Sequence, residues 1–262
     1  MWSPFSPETM WERMLGGAET AMIMASKAMA EAGHKVHIYT QGGKGTFDGV
    51  VWHGPQERIR DCDVLVSWES DEEVGPIETE TRILAAQYND PIITGRVDYF
   101  ISPSVWHGKH INKQFNIMSE KFRIIPNGVH PELYEGKVEK IPGRLIYSSS
   151  PDRGLNHLLR IFPEIKKKVP NTHLRIFYAF QPQFEANKWG MHLFSEMYWN
   201  IKIMMQQDGV EHVGPVGKRQ LALEQLRSEL MVYPEETLRP TEGFGITYAE
   251  ALAAKVAIIG SD

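Results

Sequence analysis

Three stretches of the sequence combine residue types and spacings that could do chemistry. In TEGFGITYAEALAA (241–254), Glu242 and Glu250 flank the glycine-broken turn Gly243-Phe244-Gly245 and run into an alanine-rich helix. Carboxylates are acceptor-only groups and suit the vicinal hydroxyls of a sugar. Thr247-Tyr248-Ala249-Glu250 also reads as a capping box, which would account for Glu250 alone but not for Glu242 or the glycines. In SSSPDRGL (148–155), a strand ends in small hydroxyl residues from Ser148 and turns through Pro151-Asp152. It then offers Arg153-Gly154 at the mouth of a helix. A guanidinium fork beside a helix N-terminus fits a diphosphate; a surface arginine paired with Asp152 would look the same in sequence. In LGGAET, Gly16-Gly17 lead into a third helix with Glu19 in its first turn. Free amides and close backbone approach suit an anion site there, without the spacing of a dinucleotide fingerprint or a P-loop; an ordinary loop-to-helix turn with Glu19 favourably placed in its first turn reads the same. His107 and His110 share a helix face with no third ligand, so no metal is expected.

These stretches need elements to position them. Short apolar runs rich in Val, Ile and Tyr predict strands at 35–40, 63–68, 81–88, 97–102, 122–126, 143–149, 173–180, 229–234 and 256–261. Helical patterns lie between them at 18–32, 104–115, 155–168, 194–207 and 218–228, with Pro163 expected to kink its helix. Alternation of strands and helices predicts α/β architecture with parallel sheets and right-handed crossovers. The Gly-, Pro- and charge-rich stretch 127–142 separates an N-terminal block (1–126) from a C-terminal one (143–262). Open α/β sheets bind ligands at the carboxyl ends of their strands, so two such blocks predict a cleft there.

Bulk properties narrow the class. With 262 residues, 42% of them hydrophobic, the chain can bury real cores, and its net charge of −5 gives no electrostatic case for nucleic acid. A single cysteine, Cys62, excludes an internal disulfide and favours a reducing compartment. With neither a spanning apolar run nor a signal pattern, the expectation is a cytoplasmic protein. Lys166-Lys167-Lys168 reads as a solvated helix end that could also touch a membrane surface. Trp68, Trp106 and Trp189 read as core or cleft walls.

Taken in order, GGAET, PSVWHGKHINKQF, IIPNGV (124–129), SSSPDRGL and EGFGITYAEALAAKVAIIGSD resemble the retaining glycosyltransferases of the GT-B fold, the large family four (glycosyl transferases group 1). The last stretch matches that family's E-x7-E signature at Glu242 and Glu250. The resemblance implies two Rossmann-like domains facing a cleft. It implies transfer of a hexose from a UDP- or GDP-linked donor to a glycan, lipid or other hydroxyl acceptor, without metal or cofactor. It places Arg153 on the diphosphate leaving group, Gly16 and Gly17 near the phosphates or acceptor, Glu242 on the donor sugar and Glu250 on the ribose. Ser148, Gly154, Gly243, Phe244 and Gly245 complete the donor side; Glu19, Asn89 and Asp90 are acceptor-side candidates.

The departures from that pattern are specific. Ser148 stands where the family often has arginine, Asn89-Asp90 where it has His-Asp, and Lys255 where a glycine usually ends the helix. The pattern also implies a strand ahead of GGAET and further elements after Asp262, so the chain is expected to be incomplete at both ends. A binding or scaffold module without turnover is the competing expectation. A nicotinamide oxidoreductase is disfavoured, because no glycine fingerprint with an acidic partner follows a strand.

Overall fold

The computed structural model describes residues 4–54, 56–57, 59–71, 77–180, 192–235 and 242–261. Trp189, Thr241 and Asp262 lie outside the described residues. The chain divides into two compact units. One runs up to Met10, takes in Leu15–Gly128 and closes with residues through Gly245; the other takes in Trp11–Met14, Val129–Arg239 and the chain from Ile246 onward.

In the C-terminal unit, β8 (Arg144–Tyr147), β9 (His173–Ile176), β10 (Val210–His212), β11 (Leu230–Tyr233) and β12 (Ala257–Gly260) form one sheet in the order β10-β9-β8-β11-β12. Every pairing is parallel. Helices α4 (Leu155–Lys168), α5 (His192–Met204), α6 (Lys218–Leu226) and α7 (Ile246–Ala253) make the crossovers. The chain enters at the central strand β8, builds outward to β10, then returns to the other side of β8 as β11. That reversal is a topological switch point, where two loops leave the carboxyl edge in opposite directions. Helix α4 forms because Leu155, Leu158, Leu159 and Phe162 repeat at 3.6-residue spacing and are buried to within 1% exposure. They pack on Ile146, Leu174 and Met231 of the sheet. The helix continues through Pro163.

The N-terminal unit carries two sheets. In the first, β1 (His37–Tyr39) pairs parallel with β3 (Val50–His53), which pairs antiparallel with β2 (Gly45–Phe47). Asp48 and Gly49, both at positive φ, make the two-residue turn between β2 and β3. In the second, β4 (Asp61–Trp68), β5 (Glu78–Ala85), β6 (Tyr99–Ser102) and β7 (Phe122–Ile124) lie in sequential parallel order. Helices α1 (Thr9–Glu12), which straddles the two units, α2 (Gly17–Glu31) and α3 (Val105–Phe115) accompany them. Leu84, Val97 and Phe100 make a small core under the second sheet.

The expected strands and helices are present, with three short strands added (β2, β3, β10). Two local expectations are corrected. Helix α7 already starts at Ile246, so Thr247 and Glu250 lie inside it and form no capping box. Stretch 129–142 packs with the C-terminal unit: Tyr134 touches its core, and the Lys140 ammonium donates to the Ser228 carbonyl at 2.7 Å. Among the described residues no helix is long and apolar enough to cross a membrane.

Lys255 ends α7 at φ 54°, the left-handed region where a β-carbon is strained. The Val256 amide reaches back to the Ala251 carbonyl at 2.9 Å, so the cap is well made and only the residue type opposes it. Lys255→Gly should therefore raise stability by about 0.5–1 kcal/mol, read as a higher urea midpoint at unchanged slope.

Candidate functional site

At the switch point of the C-terminal unit, the strand β8 gives way to Ser148–Gly154. Gly154 caps α4 at φ 84°. A β-carbon there would stand 1.9 Å from the Pro234 carbonyl oxygen, so only glycine lets the loop after β8 lie against the end of β11. With no side chain, Gly154 also leaves the first amides of α4 without a side-chain cap. The buried Tyr147 hydroxyl holds the loop from below, reaching the carbonyls of Ser150 (2.7 Å) and Arg153 (2.9 Å). The Tyr147 and Tyr233 rings stack, and the Tyr233 hydroxyl bonds Ser149 Oγ at 2.8 Å. Ser148 Oγ and Asn156 Oδ1 are buried here without a protein partner. The predicted group Ser148, Arg153 and Gly154 thus comes together on one loop.

The sequence reading missed Glu235, which follows β11 on the other side of the switch point. Burial raises its carboxyl pKa, and the positive charge of Arg153 opposes the shift. A carboxylate two residues past a strand end is the signal that could have found it.

Glu250 faces into the same unit and is 6% exposed. Its Oε1 accepts from the Lys218 ammonium at 2.5 Å, and Gln225 Nε2 approaches Oε2 at 3.4 Å. The Tyr134 hydroxyl in turn donates to Gln225 Oε1 at 2.9 Å. Lys218, at the start of α6, was not singled out in sequence. Desolvated on both sides (12% and 8% side-chain exposure), this pair is electrostatically interdependent.

The remaining predicted residues belong to the N-terminal unit. Glu242, Gly243, Phe244 and Gly245 pack there, with the Glu242 carboxylate accepting from the Phe244 amide at 3.3 Å. Ser104 Oγ, the N-cap of α3, donates to the Gly243 carbonyl at 2.7 Å and accepts from the His107 amide at 3.1 Å. The His107 ring lies under Gly243, where a β-carbon would come within 2.7 Å of it. Both ring nitrogens are committed, Nδ1 to Ser102 Oγ (2.5 Å) and Nε2 to the Tyr88 carbonyl (3.0 Å). Burial lowers the His107 pKa and keeps the ring neutral. His107 is therefore a support for the glycine loop, and His110 stacks on Trp106.

Gly16 caps α2 and Glu19 occupies its first turn. Glu19 is 8% exposed, with Oε2 buried and unpartnered, and burial raises its pKa. Beside it stands a residue that sequence reasoning did not name. Glu69, just past β4, has φ 67° and accepts from the amides of Gln87 (2.7 Å) and Tyr88 (3.0 Å). Its pKa is pushed up to about 7, mainly by burial, with the Glu19 charge adding to the rise. Asn89 is buried in the same segment, whereas Asp90 is exposed and bonded to Gln114 Nε2 at 2.9 Å.

Two outcomes test this arrangement. Removing the cation in Lys218→Met leaves the Glu250 charge buried and should cost about 3–5 kcal/mol of unfolding free energy, while adding Glu250→Gln restores most of it. Because the folded pKa of Glu69 is raised, the native state holds the extra proton. Stability from this group is therefore full below about pH 4.5 and is lost as pH rises through about 7. Glu69→Gln should flatten that decline, by at most about 3 kcal/mol, in urea unfolding followed against pH.

Residues 145–262 match the family described as glycosyl transferases group 1. No curated protein matches the chain in sequence. Its fold is similar to sucrose-phosphate synthase from Thermosynechococcus elongatus at 13% identity and TM-score 0.64, over 94% of this chain and 75% of that one. It is similar to Anabaena Alr3699/HepE, solved with UDP and glucose, at 13% identity and TM-score 0.58, over 94% and 77%. A mutant of S. aureus TarM, solved with Fondaparinux, alpha-GlcNAc-glycerol and UDP, matches at 12% identity and TM-score 0.52, over 72% of this chain. The chain spans 38% of the length of that TarM chain. At such identities the likeness establishes the fold, which is that of the GT-B glycosyltransferases.

Proposed function

With residues 145–262 matching the family of glycosyl transferases group 1, we propose that the protein moves a hexose from a UDP- or GDP-linked donor to a hydroxyl acceptor, with retention at the anomeric carbon. The observation that carries this reading is the switch-point loop: Arg153 and the uncapped start of α4, held by Gly154 against Pro234. Breaking a glycosidic phosphate bond builds negative charge on the departing diphosphate. A fixed guanidinium and helix amides stabilise that charge without reorganising at the moment of reaction. Ser148 Oγ, buried without a protein partner, is a ready hydrogen-bond group for the same diphosphate. This chemistry asks nothing of a metal.

Glu242 accepts from the donor sugar hydroxyls in this reading, with Gly243, Phe244 and Gly245 shaping its loop. Glu250 serves the ribose through the acceptor sites of its carboxylate that Lys218 leaves open. Gly16 and Gly17 approach the donor phosphates or the acceptor, and Glu19, Asn89 and Asp90 serve the acceptor side. The neighbours solved with UDP support a uridine donor ahead of a guanosine one.

Calorimetric titration with UDP and with GDP tests the donor site. One nucleotide should bind, and Arg153→Ala should weaken it about ten- to a hundred-fold, the loss of one charge-assisted contact. Absence of binding by the folded chain, or binding indifferent to Arg153→Ala, overturns the reading in favour of a module without turnover.

A further inference from the structure

The carboxylates of Glu19 and Glu69 present an unusual demand. They come from different elements of the N-terminal unit, the first turn of α2 and the residue after β4, and the charge of Glu19 acts on Glu69. Glu69 is fixed by two backbone amides at the end of β5, so its charge has a set position. Glu19 is not fixed in this way: Oε2 is buried, has no partner, and lies over Gly16, where a β-carbon would come within 2.3 Å of it. An unpartnered buried carboxylate oxygen costs free energy unless a donor reaches it.

Among the described residues, no group around the pair supplies such a donor to Oε2. Glu19 is the charged group acting on Glu69, and burial dominates both residues. His107, on α3 behind Tyr88, is held neutral with both ring nitrogens committed. The exposed Asp90 is turned to Gln114. Two carboxylates with no cation on them among the described residues, one with a vacant acceptor, are the complement of a group that is positively charged and rich in N–H donors. A primary ammonium offers three donors and one charge. A neutral hydroxyl offers one donor and leaves the charge uncompensated. Gly16, which lies against Glu19 Oε2, has no side chain and is only partly buried.

We propose that Glu19 and Glu69 together form a subsite for a primary ammonium group, and that the acceptor is an amino sugar. Calling this ligand the acceptor rests on the glycosyltransferase reading; the subsite itself does not. Docking of the ammonium favours both carboxylates ionised, so the proton held by the pair near neutrality leaves as the ligand binds.

Glucosamine and glucose serve as probes in calorimetric titrations at about pH 6.5, each in two buffers of different ionisation enthalpy, with UDP titrated on the same preparation. Glucosamine should bind at least about ten-fold tighter than glucose, and the buffer dependence of the heat should show release approaching one proton per ligand. Glu19→Gln, nearly isosteric, should weaken glucosamine about ten-fold or more. It should also reduce the proton release without abolishing it, because burial alone holds up the Glu69 pKa, and leave UDP affinity unchanged. Glu69→Gln should weaken glucosamine likewise, which guards against a folding defect peculiar to one variant. Equal binding of glucose, no binding of glucosamine, or indifference to both substitutions overturns the subsite. Glucosamine behaving as expected while no nucleotide binds keeps the subsite and removes the glycosyltransferase reading instead.

Discussion

The approach of Gly154 to the Pro234 carbonyl is the contact on which the C-terminal unit turns. β8 and β11 are sheet neighbours, and the chain leaves β8 for α4 at the point where β11 ends. Any β-carbon at 154 would push these two loops apart, and the loop bearing Ser148 and Arg153 would lose its floor. The rest of the local structure serves the same junction. Tyr147 and Tyr233, both with 0% exposure, put their ring faces together and spend their hydroxyls on Ser149, Ser150 and Arg153. Tyr248 of α7 packs edge-on against Tyr233, tying the helix that carries Glu250 to the same stack. Aromatic area drives the burial, and each hydroxyl is hydrogen-bonded in the junction.

Buried charge is treated in two ways within one chain. In the C-terminal unit, every buried carboxylate described has its cation: Glu224 accepts from Arg144 and Arg175, and Glu250 from Lys218. Desolvation is offset there by direct pairing, and the result is rigidity. In the N-terminal unit, Glu19 and Glu69 have amides, burial and each other. The protein compensates by holding a proton near neutral pH. A carboxylate that retains its proton only weakly responds to what docks beside it.

Much of the fold was legible in the sequence because the strands read as short runs rich in Val, Ile, Leu and Tyr, and the helices between them carry a 3.6-residue repeat. Strands β2 and β3 of the first sheet in the N-terminal unit were missed although a local signal existed. Asp48-Gly49 between Thr46-Phe47 and Val50-Val51-Trp52 is a two-residue hairpin turn, and both residues have the positive φ that such a turn requires. Arg153 and Gly154 could be placed by their position at a strand-to-helix junction. Glu69 and Lys218 could not. Their partners lie 18 or more residues away, in the amides of Gln87 and Tyr88 and in Glu250, and no spacing rule connects them. The capping-box reading of Glu250 failed for the same reason: a glutamate near a helix start satisfies a local rule, and a lysine 32 residues earlier claims it instead.

Backbone strain separates architecture from site in the same way. Four described non-glycine residues have positive φ: Asp48, Glu69, Asn116 and Lys255. Asp48 forms a hairpin turn, Asn116 is the left-handed cap of α3, and Lys255 ends α7, so each serves a boundary that the chain must make somewhere. Asp and Asn tolerate that region, and the lysine could be exchanged for glycine without loss. Glu69 follows a strand and caps nothing. What holds it there is its own carboxylate, anchored by two amides from β5's far end, while its backbone amide bonds the Ala85 carbonyl. Backbone and side chain thus fix one another, and the strain is sustained only as long as the acid group is present. A residue whose conformation depends on its functional group, and whose functional group is partly desolvated beside a second acid, is positioned for what that group contacts rather than for the fold.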